Sequence, residues 1–150
     1  MTRDEDALRM LAEVKTANAE MAERAKAPVW YHPALGLLIG GLVAVQGQPI
    51  AFLIAYYVAF AAGLALLVRA YKRHTGLWIN GYRAGRTRWV AVGLAVLSTI
   101  AMLISVSLQR EHGVALAPLA FGGIIAVIVT IGGFIWEAAF LADLKDGGSL

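Results

Sequence analysis

The chain has no cysteine among its 150 residues, so disulfides, thiol nucleophiles and thiolate metal sites are excluded. Charge is also scarce, because Asp, Glu, Lys and Arg make up only 15% of the residues, against about a quarter in soluble domains. No HExxH, P-loop or GxSxG motif is found, and the carboxylates are not clustered. The sequence therefore predicts no metal ion and no cofactor, and it gives no basis for naming an enzymatic activity.

Four long apolar runs fill most of the chain, at 28–45, 50–68, 89–108 and 114–142, and Glu137 is their single charged residue. A helix needs about 20 apolar residues to cross a bilayer core of about 30 Å. Short connections within each pair predict two helical hairpins. We therefore predict an all-α integral membrane protein with a four-transmembrane-helix bundle over 28–142. An amphipathic cytoplasmic helix over 1–27 precedes it, and a cytoplasmic tail over 143–150 follows.

The basic residues lie on one side of these predicted spans. Of the 13 Lys and Arg residues, only Arg110 falls in a short connection, and the rest lie before the first span, in the loop 69–88 or after the last span. Cytoplasmic segments carry the excess of Lys and Arg in membrane proteins. We therefore predict that both termini and the loop 69–88 are cytoplasmic.

The N-terminal segment carries an apolar stripe at alternating spacings of four and three residues: Ala7, Leu11, Val14, Asn18, Met21 and Ala25. A single Asn within such a stripe sets register and oligomer state in coiled coils. Two interpretations stay open, a short coiled coil and a solvated amphipathic helix that lies against the cytoplasmic loop.

The loop 69–88 is rich in arginine, glycine and aromatic residues. Its cations predict contact with anionic lipid headgroups, and the arginine forks suit a phosphate or carboxylate ligand. The residues predicted to bind are Lys72, Arg73, Arg83, Arg86 and Arg88. Nucleic acid is not predicted as a partner, because the patch is short and tethered to the bilayer.

Polar residues within the spans are the other candidates. Glu137 lies near the cytoplasmic end of its run, and we predict a boundary ion pair with Arg69 or Arg88 rather than a place in a proton pathway. Ser98, Thr99 and Ser105 are candidates for a polar lining. The alternative for these hydroxyls is a hydrogen bond within their own helix or to a neighbouring one.

Two stretches carry a family resemblance. The pattern Trp-Tyr-His-Pro-Ala-Leu-Gly-Leu-Leu at 30–38 and the pattern Leu-Val-Arg-Ala-Tyr-Lys-Arg-His-Thr-Gly-Leu-Trp at 67–78 resemble a loose group of small uncharacterised membrane proteins of high-GC bacteria. The resemblance implies a bacterial inner-membrane protein and no activity.

These observations predict a non-enzymatic membrane module. It would assemble with itself or with a partner membrane protein through the N-terminal helix and the basic loop. One alternative is a small transporter or channel. Another is a membrane enzyme or lipid-binding protein that acts on an anionic amphiphile.

Overall fold

A computed structural model of the protein describes residues 3–76 and 86–145, and these residues form helices joined by short turns. In chain order the helices are α1 (Arg3–Arg24), α2 (Tyr31–Ala44), α3 (Ile50–Thr75), α4 (Arg86–His112) and α5 (Ala117–Lys145). A 3₁₀ turn, Val45–Gly47, continues α2. The prediction of an all-helical fold is confirmed for the part of the chain that is described.

Within the described residues, three helices, α3, α4 and α5, are long and apolar enough to cross a membrane. Together they indicate a multi-pass membrane protein. The first predicted span is different, because α2 has only 14 residues where the apolar run has 18. Residues 28–30 form a turn before α2, and the chain tightens into the 3₁₀ turn after Ala44.

The core of the bundle lies between α2, α4 and α5. Its buried side chains are Val43, Ala101, Ile125 and Val129. Leu35 and Ile39 from α2, Met102 from α4, and Phe121 and Ile128 from α5 pack around them. Helices α2 and α5 run antiparallel, because His32 at the start of α2 lies against Gly133 and Glu137, whereas Gly40 later in α2 faces Gly122.

Glycines bring α2 and α5 into backbone contact. A Cβ atom at Gly40 would meet the carbonyl oxygen of Gly122 and would lie 2.7 Å from the Cβ atom of Ala126. A Cβ atom at Gly36 would meet the side chain of Thr130. Small residues allow helices in lipid to approach this closely and to gain dispersion energy over their whole contact. The GxxxG pair of α2 therefore serves packing inside one chain.

Helix α3 lies outside this core and packs on α2. The Tyr56 hydroxyl donates to the Leu38 carbonyl oxygen at 2.8 Å, and Leu38 covers Gly63. The helix continues seven residues beyond the predicted span, so the first part of the predicted loop 69–88 is helical. Cationic side chains favour the C-terminal turn of a helix, and Gly76 ends α3 in a left-handed conformation with φ of 68°.

Helix α1 contacts the bundle through its C-terminal end. Ala22 and Ala25 are buried in a small cluster with Phe140 of α5, and Trp136 and Leu141 pack against that cluster. The preceding turns of α1 are mostly exposed. The connection between α1 and α2 is therefore held close to α5, while most of α1 extends away from this contact.

Candidate functional site

Glu137 of α5 meets the start of α2 at the end of the bundle where α3 ends and α4 begins. One carboxylate oxygen, Oε1, accepts a hydrogen bond from the Ala27 backbone N–H at 2.6 Å. The other, Oε2, lies 2.8 Å from His32 Nε2. The two side chains are largely buried, with 5% of His32 and 14% of Glu137 exposed. Glu137 thus uses both oxygens to hold the segment that leads into α2.

The His32 ring fits closely between residues of α5. A Cβ atom at Gly133 would lie 2.5 Å from His32 Nδ1, so this position admits the ring because it is glycine. Phe134 packs edge-on against the imidazole, with 4.7 Å between the ring centroids. Within the described residues, Nδ1 has no hydrogen-bond partner. Because a carboxylate only accepts hydrogen bonds, Nε2 carries the hydrogen of the contact with Glu137.

Tyr71 of α3 holds the same connection from another side. Its hydroxyl is buried and donates to the Ala25 carbonyl oxygen at 3.0 Å. Its ring packs on Tyr31 with centroids 5.3 Å apart, and Tyr31 in turn contacts His32. The turn between α1 and α2 is therefore bound by α3 through Tyr71 and by α5 through Glu137.

We call Ala25, Ala27, His32, Tyr71 and Glu137 the boundary cluster. Its three hydrogen bonds each join residues far apart in sequence. Two end on Ala27 and Ala25, which link α1 to α2, and the third ends on His32, the second residue of α2. Buried polar groups with good partners specify one arrangement of the chain, since breaking the contact leaves unsatisfied groups behind. The cluster can therefore set the direction in which α1 leaves the bundle.

No family model matches the chain, and no curated protein and no solved structure is significantly similar to it. The resemblance to small membrane proteins of high-GC bacteria therefore stays a prediction.

The predicted ion pair of Glu137 with Arg69 or Arg88 is not found among residues 3–76 and 86–145. There the ionic contact of Glu137 is with His32. The physical reason is geometric, because both carboxylate oxygens already face the start of α2. Arg69 is exposed on α3, and the Arg88 guanidinium lies over the neighbouring Trp89 ring, 5.4 Å from its centroid.

Sequence reasoning missed His32 as the partner, although a signal was present. His32 lies near the start of the first apolar run and Glu137 near the end of the fourth. In an antiparallel bundle those two positions fall at the same end. The prediction took a formal opposite charge as the partner and overlooked a titratable ring at matching depth.

The residues predicted to bind anions are only partly described. Lys72 and Arg73 are exposed on the last turns of α3, and Arg88 is exposed at the start of α4. Arg83 and the side chain of Arg86 lie outside the described residues. The ends of α3 and α4 thus place three of the five cations at one end of the bundle, while headgroup binding itself stays a prediction.

The three hydroxyls predicted as a polar lining bond to their own helix. Ser98 donates to the Leu94 carbonyl oxygen, Thr99 to that of Ala95 and Ser105 to that of Met102. Ser105 is fully buried and Thr99 is exposed on the surface of α4. They do not face one common space, so the described contacts favour the alternative of satisfaction within the helix.

The described residues include no group of three or more His, Cys, Asp or Glu side chains that could hold a metal ion. The His32 ring is closely packed, and the geometry of the boundary cluster is suited to holding the backbone between α1 and α2 in place.

The N-terminal turns of α1 form the second notable surface. Leu8, Leu11 and Val14 are 67%, 58% and 55% exposed. Helix α1 has 22 residues, many of them charged, and does not have the apolar composition of a membrane span. These apolar side chains are therefore exposed on a helix that lacks the composition of a membrane span.

Proposed function

We propose that this chain is a non-enzymatic integral membrane module that presents α1 for assembly with another protein. The single observation that carries the proposal is the contrast within α1. Its last turn is fixed to the bundle by Ala22, Ala25 and the boundary cluster, and its earlier turns expose Leu11 and Val14. A helix that is fixed at one end and exposes an apolar stripe is suited to binding, since pre-organisation lowers the entropy lost on association.

The proposal includes four crossings of the membrane. Helix α2 lies along α5 from Gly122, which faces Gly40, to Gly133, which faces His32. Together α2 and its 3₁₀ turn extend over about 27 Å, close to the bilayer core of about 30 Å. A short fourth crossing that is shielded by its neighbours therefore fits these dimensions.

The proposed orientation has both termini and α1 in the cytoplasm of a bacterial cell. The one-sided distribution of Lys and Arg supports it. Trp30 and Trp89, which are 51% and 69% exposed, lie at the start of α2 and α4 and suit the same membrane interface. Lys72, Arg73 and Arg88 would then face anionic headgroups of the inner leaflet, so lipids are partners as well.

The proposed function is tested by substitutions in the exposed apolar stripe of α1. Replacing Leu11 and Val14 with Glu puts two charges on the apolar stripe, and replacing Ala12 and Ala19 with Glu puts the same charges on exposed positions outside that stripe. The full chain and both variants are purified in lipid nanodiscs, and native mass spectrometry gives the mass of each particle. Charge within an apolar contact is disfavoured. We therefore expect assembly for the wild type and for the Ala12/Ala19 variant, and loss of assembly for the Leu11/Val14 variant.

A thermal melt of each sample serves as the folding control, because Leu11 and Val14 lie away from the buried clusters. Particles that contain one copy of the chain and no other protein, in all three samples, would contradict the proposed function.

A further inference from the structure

The pattern of α1 identifies the partner more closely. In heptad notation, the stripe places Ala7 and Val14 at d positions and Leu11 and Asn18 at a positions, since each step from d to a is four residues. We call these four residues the N-terminal seam. An Asn at an a position is the best-attested device by which coiled coils choose register and a two-stranded state. A seam of this kind is complementary to a copy of itself.

Few charges flank the N-terminal seam. Positions next to a and d decide whether two helices attract or repel, and here they are Leu8, Met10, Lys15 and Ala17, with a single charge among them. The described carboxylates lie elsewhere on the helix, as with Glu13, which forms an exposed ion pair with Arg9 at 3.3 Å. Two copies of α1 would therefore meet with their acidic faces turned outward.

The membrane selects the direction of such a pair. Copies that insert with the same orientation carry α1 on the same side, and the boundary cluster fixes where each α1 begins its path from the bundle. Two such helices that both point away from the bilayer would lie parallel, with equal positions opposite each other and Asn18 facing Asn18. Antiparallel pairing would instead place Ala7 opposite Asn18 and would separate the two Asn side chains.

Confinement offsets the short length of the seam. From Ala7 to Asn18 the helix rises about 17 Å, which makes a marginal contact between free helices in water. Anchoring both chains in one bilayer raises their effective concentration. Because the C-terminal end of each α1 is fixed to its bundle, less entropy is lost when the two helices pair.

We propose that the partner of α1 is a second copy of this chain, bound in parallel and in register through Ala7, Leu11, Val14 and Asn18. This proposal rests on the proposed function, since it names the protein that α1 binds. The seam ends before the turns that Ala22 and Ala25 commit to α5, so pairing leaves the docked end of α1 in place.

The absence of native cysteine makes disulfide trapping a clean test. Val14→Cys places a thiol in the seam, and the matched variant Thr16→Cys places one on an exposed position two residues away. Full-length protein in liposomes is oxidised with copper phenanthroline, and dimers are followed by non-reducing gel electrophoresis. Because a disulfide needs Cα atoms within about 7 Å, we expect dimers to form at least about ten-fold faster from Val14→Cys.

Direction is tested by mixing two variants. In liposomes that contain both Ala7→Cys and Asn18→Cys chains of different tag length, the parallel pair gives only dimers of equal chains. Dimers of unequal chains would indicate an antiparallel pair and would overturn the proposed register. Equal rates for Val14→Cys and Thr16→Cys would overturn the second copy as the partner.

The two proposals fail in different ways. If nanodisc particles contain another protein, and the Glu pair at Leu11 and Val14 removes it while Val14→Cys forms no preferential dimer, the proposed function stands and the second copy is wrong. If neither assembly nor preferential dimers are seen, both proposals are wrong.

Discussion

Helices α2 and α3 follow each other in the chain and are both strongly apolar, yet α2 lies inside the bundle and α3 lies outside it. The buried residues of α2 are His32, Gly36, Gly40 and Val43, which recur along one stripe of a 14-residue helix. In α3 the buried residues are Leu67, Tyr71 and Thr75, which all lie near its C-terminal end although the helix has 26 residues. The two helices are similar in apolar character, and they differ mainly in how closely they fit the neighbouring helices.

The contrast shows how lipid changes the meaning of exposure. In a bilayer an apolar side chain gains little by leaving lipid for protein, so close fit and hydrogen bonds decide which helix is central. The exposed apolar surface of α3 therefore requires no partner. This reasoning does not extend to the exposed apolar residues of α1, because that helix does not have the composition of a membrane span.

The largest expected effect is on the contact between α2 and α5. Gly40→Val places side-chain atoms against the Gly122 carbonyl oxygen, which belongs to the backbone and cannot swing away. We expect a loss of about 3 kcal/mol in the free energy of unfolding, at the upper end for overpacking. Unfolding by SDS in bicelles measures it.

Gly123→Val on α5 is the matched control, because a Cβ atom there meets nothing within 4 Å. Equal losses for Gly40→Val and Gly123→Val would show that α2 and α5 are not in backbone contact.

The next effect concerns the polar start of α2. Glu137→Ala removes the acceptor of both the Ala27 N–H and His32 Nε2. Buried donors without a partner cost about 2 kcal/mol in the free energy of unfolding. Glu137→Gln keeps an acceptor oxygen for Ala27 and should lose less than half of that.

Hydrogen exchange at the Ala27 amide measures this contact directly. We expect fast exchange in Glu137→Ala and protection in Glu137→Gln. Protection that persists in both variants would mean that Glu137 does not hold the segment before α2.

Tyr71→Phe tests whether α3 is attached mainly through its C-terminal end. The substitution keeps the ring against Tyr31 and removes the hydrogen bond to the Ala25 carbonyl oxygen. We expect a loss of about 1 kcal/mol in the free energy of unfolding, as for one intramolecular hydrogen bond. Tyr57→Phe serves as the comparison, since it removes an exposed hydrogen bond that the Tyr57 hydroxyl accepts from Gln46 Nε2 at 3.3 Å, toward the N-terminal end of α3. If Tyr57→Phe costs as much as Tyr71→Phe, the attachment of α3 is not concentrated at its end.

The smallest effect is expected on the outer surface of α3. Ala59 is exposed there, so Ala59→Leu enlarges a surface that meets lipid. We expect a change within about 0.5 kcal/mol, as at ordinary surface positions. The measurement is the same SDS titration at two ratios of protein to lipid. A loss in the free energy of unfolding that grows with protein concentration would reveal a protein contact on α3. The exposed apolar surfaces of α3 and α1 would then no longer differ in what they meet.

Several features of the fold were predictable because they depend on local composition. The apolar runs at 50–68 and 89–108 fall within α3 and α4, since a run of about 20 apolar residues suits a helix in a bilayer. The ends were less predictable. Arg69, Lys72 and Arg73 read as a loop, yet cations at a helix C-terminus favour the helix and α3 continues to Thr75.

The candidate site was predictable only in part. Glu137 stood out because it is the one charge in the apolar runs, and its place near an end of α5 followed from its depth along the run. Its partners did not follow from the sequence. Choosing His32 and the Ala27 amide over an arginine needs the rotation of α2 about its axis and the space that Gly133 leaves, and neither is visible in spacing.

The sequence by itself determined that the chain is helical, that most of it is apolar enough for a membrane and that α1 carries a heptad stripe. These properties depend on the solvent preference and periodicity of neighbouring residues. Only the tertiary structure decided that α2 lies in the bundle core while α3 stays outside it. It also showed that Glu137 and Tyr71 fix the connection to α1. Those outcomes depend on shape, because contacts of a few ångströms between residues about a hundred positions apart are set by how the helices fit together.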